Sequence, residues 1–377
     1  MITNTYRVAG HDFQLSAKDT SAIWDCLEGY KPFLVSSVIS SDNDGITVSI
    51  DADGNSLMEF AIEGSKIGIS LPASGKSKTA SSFEKEMGAL VSALSKVDFI
   101  SGSSTSTANS ASEADNRNIA FHVTLVSKMN VLEKELIWSG REGHEDEPTI
   151  EIYACGDKRL FCVNMPGNDL PSAQMLCSAN NRVIKIALCG RRRDALQGFY
   201  SAMMIAFTLA TADKGTLLTH SSATLFDGRA YLFHAKSGTG KSTHSSLWRK
   251  YLPTADVLND DHPIIRVMED GEIRVFGSPW SGKTPCYKNS WARLGALVRL
   301  SQAPENVIRR LSTLEGYASL SSSCLSMTWD RALKDALHET IERVATAVPC
   351  FRLECRPDKE AVEMCFRAVT GREELDA

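Results

Sequence analysis

Over the first 75 residues, apolar and polar positions alternate in short runs, the pattern of strands with one face buried. Residues 6–9 and 13–15 flank Gly10-His11-Asp12, which predicts a hairpin. Residues 46–50 and 67–71 repeat the alternation. Between them, Asp51-Ala52-Asp53-Gly54-Asn55 has turn chemistry. It is not a calcium loop, because Ile62 stands where a bidentate glutamate is needed. At 81–98 the period changes, and Phe83, Met87, Leu90, Leu94 and Val97 fall at helical spacing. The polar run 101–112 buries too little to order itself, so a flexible loop is expected across 101–117.

Strand-like runs return at 120–126, 149–153, 160–163 and 182–188. The longest apolar stretch, 195–212, contains Gln197, Gly198, Ser201 and Thr208, which suit a buried helix better than a membrane span. The run Gly190-Arg191-Arg192-Arg193-Asp194 before it reads as a solvated turn rather than a phosphate site. The expected organisation is an N-terminal, mostly β (α+β) domain over 1–194, of unknown role, and a second domain over 195–377.

In the second domain, 216–226 reads as one strand carrying His220. It turns at Asp227-Gly228 and returns through 229–235. A second hairpin, at Glu269-Asp270-Gly271, joins 262–268 to 272–277, and a strand follows at 294–300. The C-terminal part is mainly helical, with its main helix at 331–348. Phe351, Leu353 and Cys355 share one face of a strand, and Asp358 caps a last helix after Pro357.

Composition narrows the class. The 377 residues allow two cores, and 43% hydrophobic with 23% charged residues is ordinary for a soluble globular chain. Forty-one basic against 46 acidic residues give a net charge of −5, no electrostatic footprint for nucleic acid. Residues 1–7 lack the charged start and apolar run of a secretory leader, and no membrane association is expected. None of the ten cysteines forms C-x-x-C or has zinc spacing. Cys162 and Cys189 lie in apolar runs, as small core residues of a reducing compartment would, so the cytoplasm is expected.

The chemistry concentrates after residue 219. Ala235 to Ser242 fits G-x-x-x-x-G-K-[ST] with alanine at the first glycine, between a strand-like run and a helix-compatible one. Loops of this kind wrap backbone N–H groups of Ser237, Gly238, Thr239, Gly240, Lys241, Ser242 and Thr243 around phosphates. Lys241 supplies a cation and Ser242 can ligate Mg²⁺. A Gly/Ser-rich surface loop would give the same letters, so the neighbours matter. Asn259-Asp260-Asp261 follows a short strand-like segment, 255–258; one aspartate can take the metal and the other the proton of an acceptor hydroxyl. Without the loop, these residues would be an ordinary turn. In Gly277-Ser278-Pro279-Trp280-Ser281-Gly282-Lys283, Lys283 could neutralise the transferred group, and Trp280 could line a pocket or simply pack. A histidine such as His220 in an apolar strand is more often a satisfied core residue than a functional one.

Taken together, His220-Ser221-Ser222, the 237–243 loop, Asp260-Asp261 and the 277–283 segment resemble the HPr kinase/phosphorylase and phosphoenolpyruvate carboxykinase-like group of P-loop proteins, closest to its bacterial members of unassigned substrate. The resemblance covers about 195–310 well and the rest of the C-terminal part loosely. It implies an α/β fold, with a mixed, strongly curved sheet and flanking helices. It implies ATP and Mg²⁺ as donor and metal, with Ser242, Asp260 and Asp261 at the metal. It places His220 near the phosphates and gives the aspartates metal and acid/base work, without deciding which does which. The implied activity is a kinase acting on a hydroxyl, of a protein serine or a small molecule, with a homo-oligomer expected by analogy alone. The segment that couples HPr kinase to HPr is not found, nor are the oxaloacetate-binding arginines of the carboxykinases. A non-catalytic nucleotide sensor or assembly protein and, less favoured, a carboxykinase-like lyase are the alternatives.

Overall fold

The computed structural model describes residues 1–18, 20–40, 46–51, 56–62, 65–71, 119–141, 148–168, 170–282, 285–325 and 329–373. The helix expected at 81–98, the loop expected over 101–117 and Lys283 lie outside these residues. The protein is mixed α/β, with two large mixed sheets and few helices. It divides into two compact units, one of Met1 with Ser36–Asn118, the other of Ile2–Val35 with Ile119–Ala377. The boundary expected near 195 falls within the second unit.

The elements begin with β1 (Ile2–Val8), β2 (His11–Ala17), β3 (Leu34–Ser40), β4 (Ile46–Asp51), β5 (Ser56–Ile62) and β6 (Ser65–Leu71). In the first unit, β3 from Ser36 onward and β4 to β6 form an antiparallel meander in which each strand pairs with the next. In the second unit, β1 and β2 form the expected hairpin, pairing from Ile2 opposite Ala17 to Val8 opposite His11. They share a sheet with β7 (Ile119–Val126), β8 (Glu135–Arg141), β9 (Thr149–Cys155), β10 (Lys158–Asn164), β11 (Ala173–Cys177) and β12 (Val183–Leu188). β7 is parallel to both β2 and β12, and the remaining pairs between β8 and β12 are antiparallel.

Helix α1 (Arg192–Thr211) is the expected apolar helix. Among the described residues it is the one helix long and apolar enough to cross a membrane, and 72% of its apolar window is buried inside the protein. Phe199, Ala202, Met203, Ala206 and Phe207 are each fully buried in a core that takes in side chains of both sheets. The arginine run expected as a turn before the helix is its first turn: Arg191 is the N-cap and pairs with Asp194, and Arg192 and Arg193 are exposed on α1 itself.

The second sheet is built from β13 (Thr216–Leu218), β14 (Ser221–Phe226), β15 (Arg229–His234), β16 (Asp256–Asp261), β17 (Ile264–Val267), β18 (Ile273–Phe276), β19 (Trp291–Gln302), β20 (Val307–Arg310) and β21 (Cys350–Cys355). Its main order is β13-β17-β18-β19-β15-β14-β16, with β21 beside the far half of β19. β15, β19 and β21 are mutually parallel, and their carboxyl ends lie together. Helices α2 (Lys241–Tyr251) and α5 (Lys359–Thr370) cover one face through Phe226, Phe233, Trp248, Leu252, Val298 and Phe366. Helices α3 (Thr313–Ser321) and α4 (Arg331–Ala347) contribute Leu320, Leu337, Ile341 and Val344 to the core shared with α1.

Local chemistry sets the ends of these elements. The β14–β15 hairpin turns at Asp227 and Gly228, both with positive φ, as a two-residue hairpin turn requires. Ser312 closes a reciprocal capping box with Glu315 at the start of α3, and the Asp330 and Asp358 carboxylates accept N–H bonds at the starts of α4 and α5.

Candidate functional site

The register of the second sheet organises the site. Ser222 stands opposite Asp260 on one side and Phe233 on the other, and Phe233 continues to Val298 and Phe351. Cross-strand neighbours share a face of a sheet. Phe233, Val298 and Phe351 pack under α2 and α5, and Ser222 Oγ meets Ser245 of α2 at 2.7 Å. Asp260 therefore stands in the row that faces α2. The next row runs Asp261, Ser221, His234, Arg299, Arg352 and faces the opposite side. The two adjacent aspartates thus belong to opposite faces of one sheet end.

Above this end lies the glycine-rich loop. His234 ends β15, and residues 235–240 lead directly into α2. Gly238 and Gly240 hold φ of 76° and 113°, conformations that L side chains rarely adopt, and Gly240 is the N-cap of α2. Lys241 is buried at 8% exposure, and its Nζ reaches back across the loop to donate to the Ala235 carbonyl at 3.3 Å. Ser242 and Thr243 are exposed on the first turn. First-turn N–H groups and the helix dipole favour an anion here. The helix itself is held from below: buried His244 is pushed down to about 4 by burial and accepts a bond from Trp248 Nε1.

His220 is not on a strand. The run 216–226, expected to be continuous, is broken into β13, which pairs with β17, and β14, which pairs with β15 and β16. Thr219 makes the step by donating both its N–H and its hydroxyl to the Pro263 carbonyl, and His220 N–H donates to Ser323 O at 2.7 Å. The bend carries the imidazole to the acid pair. His220 Nε2 lies 3.3 Å from Asp261 Oδ1, while His262 Nδ1 lies 3.2 Å from Oδ2. The two rings stack at 5.6 Å with 20° between planes. Burial pushes the Asp261 carboxyl up, but the hydrogen bonds and charges of the two imidazoles outweigh it and hold the group well below the carboxylate range. Asp261 also carries φ of 142°, a strained backbone for a non-glycine residue.

The 277–282 segment props this geometry. Asn259 is fully buried, and its amide donates to backbone carbonyls of Ser278 and Trp280 while its oxygen accepts from His262 N–H. Ser278 Oγ donates to the His262 carbonyl at 2.6 Å. Gly282 N–H donates to the Asp260 carbonyl at 2.8 Å, and Ser281 forms a bridge with Asp261. Trp280 packs rather than lining a pocket. It is 3% exposed, stands edge-on to Phe207 and donates to the Tyr30 hydroxyl. The sequence alone assigns no role to Asn259, which reads as a turn residue, or to His262, which reads as the start of the 262–268 run.

The carboxyl ends of β15, β19 and β21 frame a cleft of about 540 Å³, lined by Lys236, Gly238, Thr239, Arg299, Gln302 and Arg352 among others. Gln302 donates to the Thr239 carbonyl at 3.3 Å. Beneath the loop, burial and the charges of Arg299 and Lys241 push His234 down to about 3, so the ring is neutral. Its Nε2 meets the Ser319 hydroxyl at 2.7 Å.

Among the described residues, no group of three or more His, Cys, Asp or Glu side chains is arranged to hold a metal ion by itself. Mg²⁺ uses fewer protein ligands than that, commonly one or two carboxylates completed by phosphate and water. Ser242 on the first turn of α2 and Asp260 in the row facing that helix offer one hydroxyl and one carboxylate, the ligand types such an ion takes. No protein-family model matches the chain, and no curated protein matches it in sequence.

Proposed function

We propose that this chain is an ATP- and Mg²⁺-dependent phosphotransferase of the HPr-kinase-like kind, moving the γ-phosphate to a hydroxyl of a protein serine or a small molecule. One observation carries this reading. A glycine-rich strand–loop–helix turn with a buried lysine shares one sheet end with an aspartate pair split between its two faces.

The split supports a division of labour. Lys241 and the amides of 237–243 hold the phosphates. Asp260, in the row facing α2, holds Mg²⁺ with Ser242. When bound, the metal offsets phosphate charge. Asp261 has both oxygens engaged by imidazoles and is a weak proton acceptor. It is a positioning residue that fixes His220, as an aspartate orients a catalytic imidazole elsewhere. His220 takes the hydroxyl proton through the ring nitrogen that does not face Asp261. The acceptor oxygen bonds to the γ-phosphorus, the bond to the β–γ bridging oxygen breaks, and ADP leaves.

The antiparallel hairpin feeding the loop supports a mixed P-loop sheet in place of the parallel sheet of most Walker-loop enzymes. All ten cysteines are unpaired, which favours a reducing compartment and hence the cytoplasm. The direct test is radiolabelled γ-phosphate transfer into lysate protein and a metabolite pool. Label in a specific acceptor supports the assignment. Tight ATP binding with no label transferred or released sinks it.

A further inference from the structure

The phosphate-loop reading accounts for one flank of β15. Toward β14 and β16, the register ends in Asp261 with its two imidazoles. Toward β19 and β21, the same row ends in Arg299 and Arg352. At roughly 4.8 Å per strand, about 14 Å separates Asp261 from Arg299 along the row. The loop rises from the middle, at His234. The row is therefore a charge gradient across the sheet end, anionic on one flank and cationic on the other.

Arg299 and Arg352 are parallel-strand neighbours on the same face, and both line the cleft beside the loop. Two guanidinium groups so placed repel each other unless an anion is near. Arg352 has one, since its NH2 lies 2.6 Å from Glu354 Oε1. Arg299 is exposed, and its side chain has no ion pair or hydrogen bond among the described residues. Lys236 adds a third cation on the loop side of the cleft. The tie from Gln302 to the Thr239 carbonyl fixes the loop against the end of β19. In sheets of this kind, ligands bind outside the carboxyl ends of parallel strands, where this cleft lies.

We propose that this cleft is the subsite for the nucleoside end of the phosphate donor, with Arg299 contacting the inner phosphate of a nucleoside di- or triphosphate and Lys236 and Arg352 supplying the surrounding positive field. The proposal rests on the phosphate-loop reading. Its logic is directional. A donor whose terminal phosphate turns toward the aspartate flank has its nucleoside end turned toward β19 and β21. The cationic flank then offsets the charge that stays with the leaving nucleotide.

The test is calorimetric titration of Mg·ADP and of Mg·pyrophosphate into the full chain. The variants are Arg299→Gln, Arg352→Gln and Lys241→Ala, with Arg343→Gln, an exposed site on α4, as charge control. Circular dichroism checks that each is folded. Loss of one charge-assisted contact is expected to weaken ADP about tenfold in Arg299→Gln. Arg352→Gln weakens it less, Arg343→Gln leaves it unchanged, and pyrophosphate, which fills the loop alone, stays within about twofold in Arg299→Gln. If wild type binds ADP and Arg299→Gln binds it equally, the subsite falls and the loop reading stands. Equal weakening of pyrophosphate and ADP in Arg299→Gln moves Arg299 to the loop phosphates and also overturns the subsite. A wild type that binds no ADP, or a Lys241→Ala variant that binds it as tightly as wild type, overturns both.

Discussion

His220 Nε2 lies 3.3 Å from Asp261 Oδ1, and this contact joins a bend of the chain before β14 to the last residue of β16. His262 occupies the other carboxylate oxygen at 3.2 Å, so a single anion fixes two imidazoles. The backbone strain at Asp261 persists because both its neighbours are pinned, Asp260 by the Gly282 N–H and His262 by Asn259.

The carboxylate's environment gives stability a defined pH dependence. The folded Asp261 group lies below its unfolded value because the imidazoles outweigh burial. A depressed acid stabilises fully above the unfolded value, about 4, and loses that contribution as pH falls toward the folded value. Asp261→Asn is expected to lower unfolding free energy by about 1.5–3 kcal/mol at neutral pH. The difference should shrink as pH is lowered from about 5 toward 3. Urea unfolding of both proteins across that range checks it; a difference that stays constant contradicts it.

Replacing the imidazoles separates acid/base work from binding. His220→Ala is expected to lower kcat by about 10²–10⁴, with ADP affinity unchanged within about twofold. His262→Ala acts through Asp261 and is expected to cost about 10–100-fold, again in kcat. Steady-state kinetics paired with ADP titration separates the two effects. A loss confined to KM would assign both residues to binding instead.

Asn259 carries a structural load at the site. Its side chain has no exposure and joins β16 to the 277–282 segment. Asn259→Ala leaves several buried backbone groups unpaired and is expected to cost about 2–3 kcal/mol, read as a lower midpoint in urea unfolding. A midpoint equal to wild type would show that the segment does not depend on this amide.

Gly282 sits against the acid pair, where an added Cβ would stand 3.3 Å from the Asp260 carbonyl and 3.4 Å from Asp261 Cβ and Cγ. Gly282→Ala must displace one of the aspartates by a few tenths of an ångström. Turnover is therefore expected to fall about tenfold or more while stability falls by about 1 kcal/mol or less. Parallel measurement of kcat and thermal midpoint distinguishes this from general unfolding, in which both would collapse together.

Much of this arrangement was legible in the sequence, for local reasons. Asp227-Gly228 specifies its own turn, and Asp358 its own helix start. The periodicity of α1 and α4 requires no partner to be seen. The break at His220 was not legible. Residues 216–226 have strand composition throughout, and what bends them is bonding to Pro263 and Ser323, remote in the chain. β16, expected over 255–258, runs through Asp261, and that sets His262, read only as the start of the 262–268 run, against the carboxylate. Arg299 and Arg352 are alternating polar positions on separate strands, and only the parallel β19–β21 register makes them neighbours. Trp280 was ambiguous until Phe207 and Tyr30 were seen against it.

The most direct measurement is transfer of radiolabelled γ-phosphate from Mg·ATP by wild type, Lys241→Ala and Asp260→Asn, against the lysate and metabolite pool. The expected result is a labelled acceptor with wild type and none above background with either variant, each still folded by circular dichroism. Label transferred at the wild-type rate by both variants would contradict the assignment of this sheet end as a phosphotransfer centre.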